Sequence, residues 1–194
     1  TLLGLSRQLG REDAIVTTPM IAAQAYYIIR NNDKSLFYCD QAIKESEKRM
    51  KPDDMMAYSV WKVALFQKAA ILVGNKKRKE AIGLYEHVAA EAARRADVLY
   101  VLEGYRMSGF LNDELGKHEE AFIRFLLALE AGSRLDMNVR RTSTFVYVAS
   151  AAMRLCRKVR GKQDLEILES QLEQWLGADW HELTETFDRQ VEPT

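Results

Sequence analysis

The 194-residue chain is predicted to be all-α, an array of antiparallel helix pairs closed by a C-terminal capping helix. Three observations predict it. Apolar residues recur at helical spacing along nearly the whole chain, and the strict alternation of a half-buried strand is absent. Turn signals interrupt that pattern in regular order, at Asn31-Asn32-Asp33, Lys51-Pro52-Asp53-Asp54, Gly74-Asn75, Gly116, Gly132, Gly161 and Gly177. The stretch Glu114–Gly132, ELGKHEEAFIRFLLALEAG, places a glycine turn before a helix with Ala121, Phe125, Ala128 and Leu129 on one stripe. Small residues at fixed places let two helices approach closely, and an aromatic fills the next gap.

The elements follow from these breaks, about nine helices near or above the usual globular length. Met20–Arg30 and Leu36–Met50 form the first pair, with Ala22, Ala23 and Tyr26 facing Cys39, Ala42 and Ile43. Pro52 cannot continue a helix, and Asp53 or Asp54 can cap the next one by accepting a bond from an orphan N–H. Met55–Val73 then runs to the Gly74 turn, read as a glycine C-cap. Its partner carries Ala81, Tyr85 and Val88. Tyr105, Ser108 and Gly109 precede the Gly116 turn, and Ala121 stands 40 residues after Ala81. The Gly74 turn reads as about two residues longer than the Gly116 turn by the same helical count. Further on, Val148, Ala151, Ala152 and Leu155 face Leu168 and Leu172. Asp164–Leu176 carries Leu165, Leu168, Leu172, Trp175 and Leu176 on one stripe, and Asp179 can cap a last helix with Trp180, Leu183 and Phe187. An end repeat has no neighbour, so both tryptophans are read as cover for its open face, with an exposed docking or dimer helix as the other option.

The Glu114–Gly132 pattern and its 40-residue echo resemble the tetratricopeptide (TPR) family, whose repeat is 34 residues long. The resemblance spans Met20 to Trp175 and is most specific over Leu102–Gly132. The chain departs from the family in its longer spacing, in lacking the closing Pro, and in having Asn112 where an aromatic is usual. The resemblance implies a right-handed superhelix over the whole chain, 1–194, with approximate pairs at 16–50, 55–95, 98–132 and 138–176 and a capping helix at 179–190. It further implies that the first helix of each pair lines a concave groove. Those positions are Tyr27, then Phe66 and Ala70, then Arg106, Phe110 and Asp113, then Ala149 and Met153. The row is apolar with a few polar points, which suits an amphipathic helix or an extended peptide. It has too few basic residues for acidic chaperone tails. With helices this long, Phe66 and Phe110 are equally well read as core.

Composition excludes more than it identifies. The formal net charge is zero, from 28 basic and 28 acidic side chains, whereas a nucleic-acid binder carries a basic excess. No stretch reads as long and apolar enough to span a bilayer, and no secretory signal is visible. The chain does not begin with Met and is expected to be trimmed or a piece of something longer. Cys39 and Cys156, its two cysteines, sit among apolar residues and are read as buried thiols, with the cytoplasm as the expected compartment.

Nothing in the pattern forms a catalytic or metal constellation. His87 and Glu91 share a helix face, but the second histidine and third ligand of a zinc hydrolase are missing. His118 stands where the resemblance implies a turn aromatic, so packing is its expected role; His181 is expected to be solvated. Carboxylate neighbours such as Glu119-Glu120 sit at helix starts, where they complement the dipole. Lys76-Lys77-Arg78-Lys79 reads as a solvated turn, with an anionic contact as the minor option. Arg140-Arg141 and Arg154, Arg157, Lys158 and Arg160 form a second basic patch near a helix C-terminus. The chain is therefore expected to be a non-enzymatic module, without cofactor or metal, for a protein or peptide partner. It is read as a scaffold or chaperone-like holder, with homodimerisation through the C-terminal helices as an option. The alternative is a helical regulatory or sensor region of a larger protein, with a small-ligand pocket or support for catalysis elsewhere.

Overall fold

The computed structural model describes residues 12–51 and 54–191, with side chains described for 13–51 and 54–185. Pro52, Asp53 and the side chain of Phe187 lie outside the described residues. Ten helices and no strand are found among them. They are α1 (Glu12–Ile28), α2 (Asn32–Arg49), α3 (Met55–Gly74), α4 (Arg78–Arg94), α5 (Val98–Glu114), α6 (His118–Gly132), the single turn α7 (Met137–Arg140), α8 (Ser143–Val159), α9 (Lys162–Leu176) and α10 (Trp180–Val191). Consecutive long helices pack as pairs. The packing separates into two compact units, one ending at Val88 and one beginning at Ala89, so the dividing point falls within α4.

The turns differ from the glycine-punctuated reading. Four connections, 29–31, 75–77, 95–97 and 115–117, are three residues long, so the Gly74 and Gly116 turns are equal in length. In each the middle residue is left-handed: Arg30, Lys76, Ala96 and Gly116, with φ of 58°, 62°, 54° and 74°. In each the following N–H bonds back five residues, from Asn31 to Tyr26, Lys77 to Leu72, Asp97 to Ala92 and Lys117 to Asn112, at 2.8–2.9 Å. This is the Schellman closure, which satisfies carbonyls that a helix end leaves open. Only one of the four uses glycine. Gly74 is simply the last helical residue, and Lys76 takes the turn conformation. The left-handed positions at 76, 96 and 116 repeat every 20 residues, one helix plus one turn. That period accounts for the 40-residue spacing of Ala81 and Ala121.

Helix α1 begins eight residues before the expected Met20 and runs through Pro19. Its early start brings Val16 into the core with Met20 and Ala23. Asn31, read as part of the break, caps α2 by accepting from the Lys34 N–H at 3.2 Å. Asp54 caps α3 through the Ala57 N–H at 2.9 Å.

In the first unit Val16, Met20 and Ala23 of α1 meet Cys39 and Ala42 of α2 and Val60 and Ala64 of α3. A polar tie runs through this core: Ser35 donates to the Ala23 carbonyl and accepts from Gln67, both at 2.9 Å. Helix α3 is long and apolar enough, by length and composition alone, to cross a membrane, which the sequence reading did not expect; half of that stretch is buried within the protein. In the second unit α8 is the central helix, packed against α6, α9 and α10. One continuous cluster runs from Leu102 through Phe125, Phe145 and Leu155 to Leu172 and Trp180.

Candidate binding face

In the second unit, Arg106, Phe110 and Asp113 occupy one face of α5, three and four residues apart. Phe110 is 38% exposed. Arg106 is half-buried, its guanidinium bonded to Glu103 one turn earlier, at 2.7 Å from Nη2. Beneath this face Gly109 meets α6 closely, since a Cβ there would stand 2.8 Å from the Phe125 ring.

Asp113 lies at the end of α5, where three helices converge. Arg154 of α8 donates to its Oδ2 at 2.7 Å, and His118 Nδ1 lies 2.8 Å from its Oδ1. Lys158, one turn beyond Arg154, lies 2.8 Å from His118 Nε2. A lysine ammonium only donates, so Nε2 is the acceptor and the remaining N–H of His118 donates to Asp113. Burial alone would raise the Asp113 carboxyl, but the hydrogen bonds from Arg154 and His118 outweigh it and hold its pKa below the ordinary carboxylate value. Arg160 adds a third cross-helix contact, 2.5 Å from Glu119 and over the Phe122 ring. The basic patch on α8 thus ties α8 to α5 and α6. His118 serves that network by hydrogen bonding, where packing was expected.

Tyr147 of α8 completes the face. It packs edge-on against Phe125, with ring centroids 6.3 Å apart. Arg106, Arg154 and Asp113 all lie within its electrostatic reach, although burial is the main cause of its raised pKa. Ala149 and Met153, expected to line a groove on this helix, do not: Met153 is 3% exposed, Ala149 is fully buried, and both belong to the core. The physical reason is the central place of α8. With neighbours on several sides, ten of its 17 residues are buried. The arc left to solvent carries Arg154 and Lys158, with Tyr147 half-buried at its edge. The resemblance to the TPR family implied that Met153 lies in an apolar groove row, but three neighbours cover more of the helix than such a row allows.

In the first unit Tyr27 is exposed on α1, and Phe66 and Ala70 are half-buried on α3. The Phe66 ring stands edge-on to Tyr85 at 5.0 Å. Arg106 and Phe110 follow Phe66 and Ala70 by 40 residues, and Phe125 follows Tyr85 by 40, so each aromatic beneath the face recurs at the repeat period.

The remaining candidates have structural partners. His87 meets the edge of Trp61, 5.2 Å away, and Glu91 is held by Arg94 and Arg95. Asp179 engages Arg141, which also donates to the Leu176 carbonyl. Trp180 is 3% exposed and half-buried Trp175 stands edge-on to Phe145 at 6.4 Å, so both pack within the unit. His181 is exposed and stacked on Trp180. Among the described residues no group of three His, Cys, Asp or Glu side chains is placed to hold a metal. Two cavities in the second unit, of about 260 and 220 Å³, fall short of the ~300–1,000 Å³ usual for small-molecule sites.

No family model matches the chain. No curated protein matches it either. Solved structures do. One is the crystal structure of the apo form of RapI, similar with a TM-score of 0.68 at 13% sequence identity. The match covers 94% of this chain and 45% of that one, so the chain spans less than half the length of that structure. RapI has a TPR-like helical repeat fold, and a likeness of this strength shows that this chain shares it.

Proposed function

We propose that the chain is a non-catalytic protein-interaction module that holds a peptide or protein segment on the α5–α8 face. The observation that carries this is Phe110, 38% exposed between Arg106 and Asp113 on α5, with Arg154 of α8 bonded to Asp113 and Tyr147 of α8 within electrostatic reach of both Arg106 and Asp113. An exposed aromatic among arginines and a tyrosine is the composition of an interaction hot spot. The residues beneath it are already committed to packing, so the face is preorganised. The helical repeat fold shared with RapI is consistent with holding a protein partner. Tyr27, Phe66 and Ala70 are the corresponding positions of the first unit. A scaffold or chaperone-like holder would use this face, and so would the regulatory region of a longer protein. Two buried thiols agree with a reducing compartment such as the cytoplasm.

The test is selection of ligands from a random peptide library, followed by variants. Phe110→Ala is expected to weaken the selected peptides by about tenfold or more, about 1.4 kcal/mol. Arg106→Glu should act mainly on the association rate. Both proteins should keep wild-type helicity. Unchanged affinity in Phe110→Ala, or a melting temperature lowered by a core-like amount, would overturn the assignment.

A further inference from the structure

The helix pairs α3–α4 and α5–α6 share one 40-residue register, in which the left-handed turn residues Lys76 and Gly116 correspond. A residue of the first pair and the residue 40 later therefore stand at the same place on equivalent helices. Most buried positions keep their character across the repeat: Ala81 and Ala121, Tyr85 and Phe125, Val88 and Ala128 are all buried. One spot does not. Tyr58, Trp61 and His87 of the first pair are Val98, Val101 and Leu127 in the second. In the first pair Trp61 is buried and stacks with Tyr58 at 6.3 Å. It meets the His87 ring edge-on at 5.2 Å and donates from Nε1 to Glu47 at 3.4 Å. In the second pair three aliphatic side chains replace those rings. Tyr105, in the place of Leu65, forms one wall, and space remains: a cavity of about 220 Å³ lined by Val98, Val101, Tyr105 and Leu127, with exposed Ala93, Glu130 and Arg134 at its mouth.

We propose that this cavity is an anchor site for one aromatic side chain, a tryptophan by preference, carried by a peptide or protein partner. The preceding repeat supplies the argument for the occupant, because it fills the equivalent place with the indole of Trp61. Size decides for a side chain over a free ligand. An aliphatic cavity of about 150 Å³ takes a benzene ring, whereas small-molecule sites begin near ~300 Å³, and the 220 Å³ here lies between. The polar groups at the mouth suit an indole. A buried indole N–H needs an acceptor. Glu130 already holds Arg134 at 3.3 Å, and a carboxylate has further lone pairs to accept another N–H, as Glu47 does for Trp61. The Arg134 guanidinium is a cation that an aromatic face attracts. The ring has to come from a partner: the chain's own Trp61, Trp175 and Trp180 are packed against His87, Phe145 and His181. The cavity uses other residues than the Phe110 face and does not rest on that reading.

Methyl NMR of the full chain, titrated with the peptide acetyl-Gly-Trp-Gly-amide, tests it. The methyl signals of Val98, Val101 and Leu127 should shift saturably in the field of the bound ring, while those of Val60 and Val63 on α3 stay in place. The same peptide with Phe at its centre should bind more weakly, for want of the N–H, and with Leu should leave every signal unmoved. Val101→Trp rebuilds the indole of the earlier repeat; it is expected to raise the melting temperature and to abolish the peptide-induced shifts at Val98 and Leu127. Ala93→Trp closes the mouth from an exposed position, without entering the core, and should abolish them too, which keeps the test valid if Val101→Trp fails to fold. No shift up to the solubility limit of the tryptophan peptide overturns the proposal. So do shifts of equal size with the leucine peptide, or shifts retained in Ala93→Trp. Free indole binding more tightly than the tryptophan peptide would make the cavity a small-molecule site and overturn the assignment to a partner's side chain.

Discussion

Single glycines and their substitutes carry much of the local geometry. Arg30, Lys76 and Ala96 hold left-handed conformations that cost an L-residue roughly 1–2 kcal/mol relative to glycine. Ala96→Gly and Lys76→Gly are therefore expected to raise stability, by up to about 1 kcal/mol after the entropy that glycine gains in the unfolded chain. Gly116→Ala should lower it. Urea denaturation of the three variants checks the signs. Gly109 and Gly132 serve close approach. An added Cβ would stand 2.8 Å from Phe125 in the first case and 2.5 Å from Phe145 in the second. Either glycine changed to alanine is expected to cost about 1–3 kcal/mol by overpacking. Gly83 is the control, helical and exposed with nothing within 4 Å of a new Cβ. Gly83→Ala should stabilise by about 0.5–1 kcal/mol. Thermal melts should place Gly109→Ala and Gly132→Ala below the wild type and Gly83→Ala above it. The role of Gly109 followed from the TPR resemblance, which implies a small residue at that position. That of Gly132 was not, because a glycine at a helix end reads as a turn until Phe145 is seen against it.

At the scale of the element, the hydrogen bonds among α5, α6 and α8 decide how the candidate face is held. Asp113→Ala would remove the bonds to solvent-accessible Arg154 and half-buried His118 and is expected to cost about 0.5–1.5 kcal/mol at neutral pH. The pH dependence follows from the direction of the shift. The folded carboxyl titrates below its unfolded value because Arg154 and His118 bond its charged form more strongly than burial disfavours it. Its contribution is therefore fully present above about pH 3.9 and is lost as the pH falls through the lower folded value. Urea denaturation of wild type and Asp113→Ala should show a wide gap at pH 7 that narrows below the ordinary carboxylate range. A gap of constant size would remove the electrostatic account. The basic residues of α8 were visible in the chain, and their position near a helix end suggested the dipole. Their partners lie about 40 residues away, at Asp113, His118 and Glu119, a distance that no local pattern measures.

For the molecule as a whole, each unit holds one free, buried cysteine: Cys39 in the first and Cys156 in the second. Burial raises both thiols, Cys39 to about 11 and Cys156 in the same direction. Neither is expected to react with a thiol reagent in the native protein at neutral pH, since the thiolate is the nucleophile. On titration with urea, labelling then reports the opening of each unit separately. Labelling of Cys39 and Cys156 at different urea concentrations would show that the two units open separately. Simultaneous labelling would mean that the two units open as one.

The sequence by itself determined that the chain is helical and paired, because amphipathic spacing and helix stops act within a few residues of one another. The 40-residue echo and the aromatic at Phe125 came from the same local information, and the close contact at Gly109 from the resemblance that they carry. The three-dimensional structure alone decided which face of each helix stays open. Met153 and Ala149 sit on an apolar stripe like any groove residue, yet α8 has three neighbours and they are buried. Phe110 sits on a stripe like any core residue, yet it is left to solvent. Ile21 and Ile28 on α1 are left exposed in the same way. Periodicity states which residues share a face, and burial depends on how many other helices reach it, a property of contacts made across tens of residues.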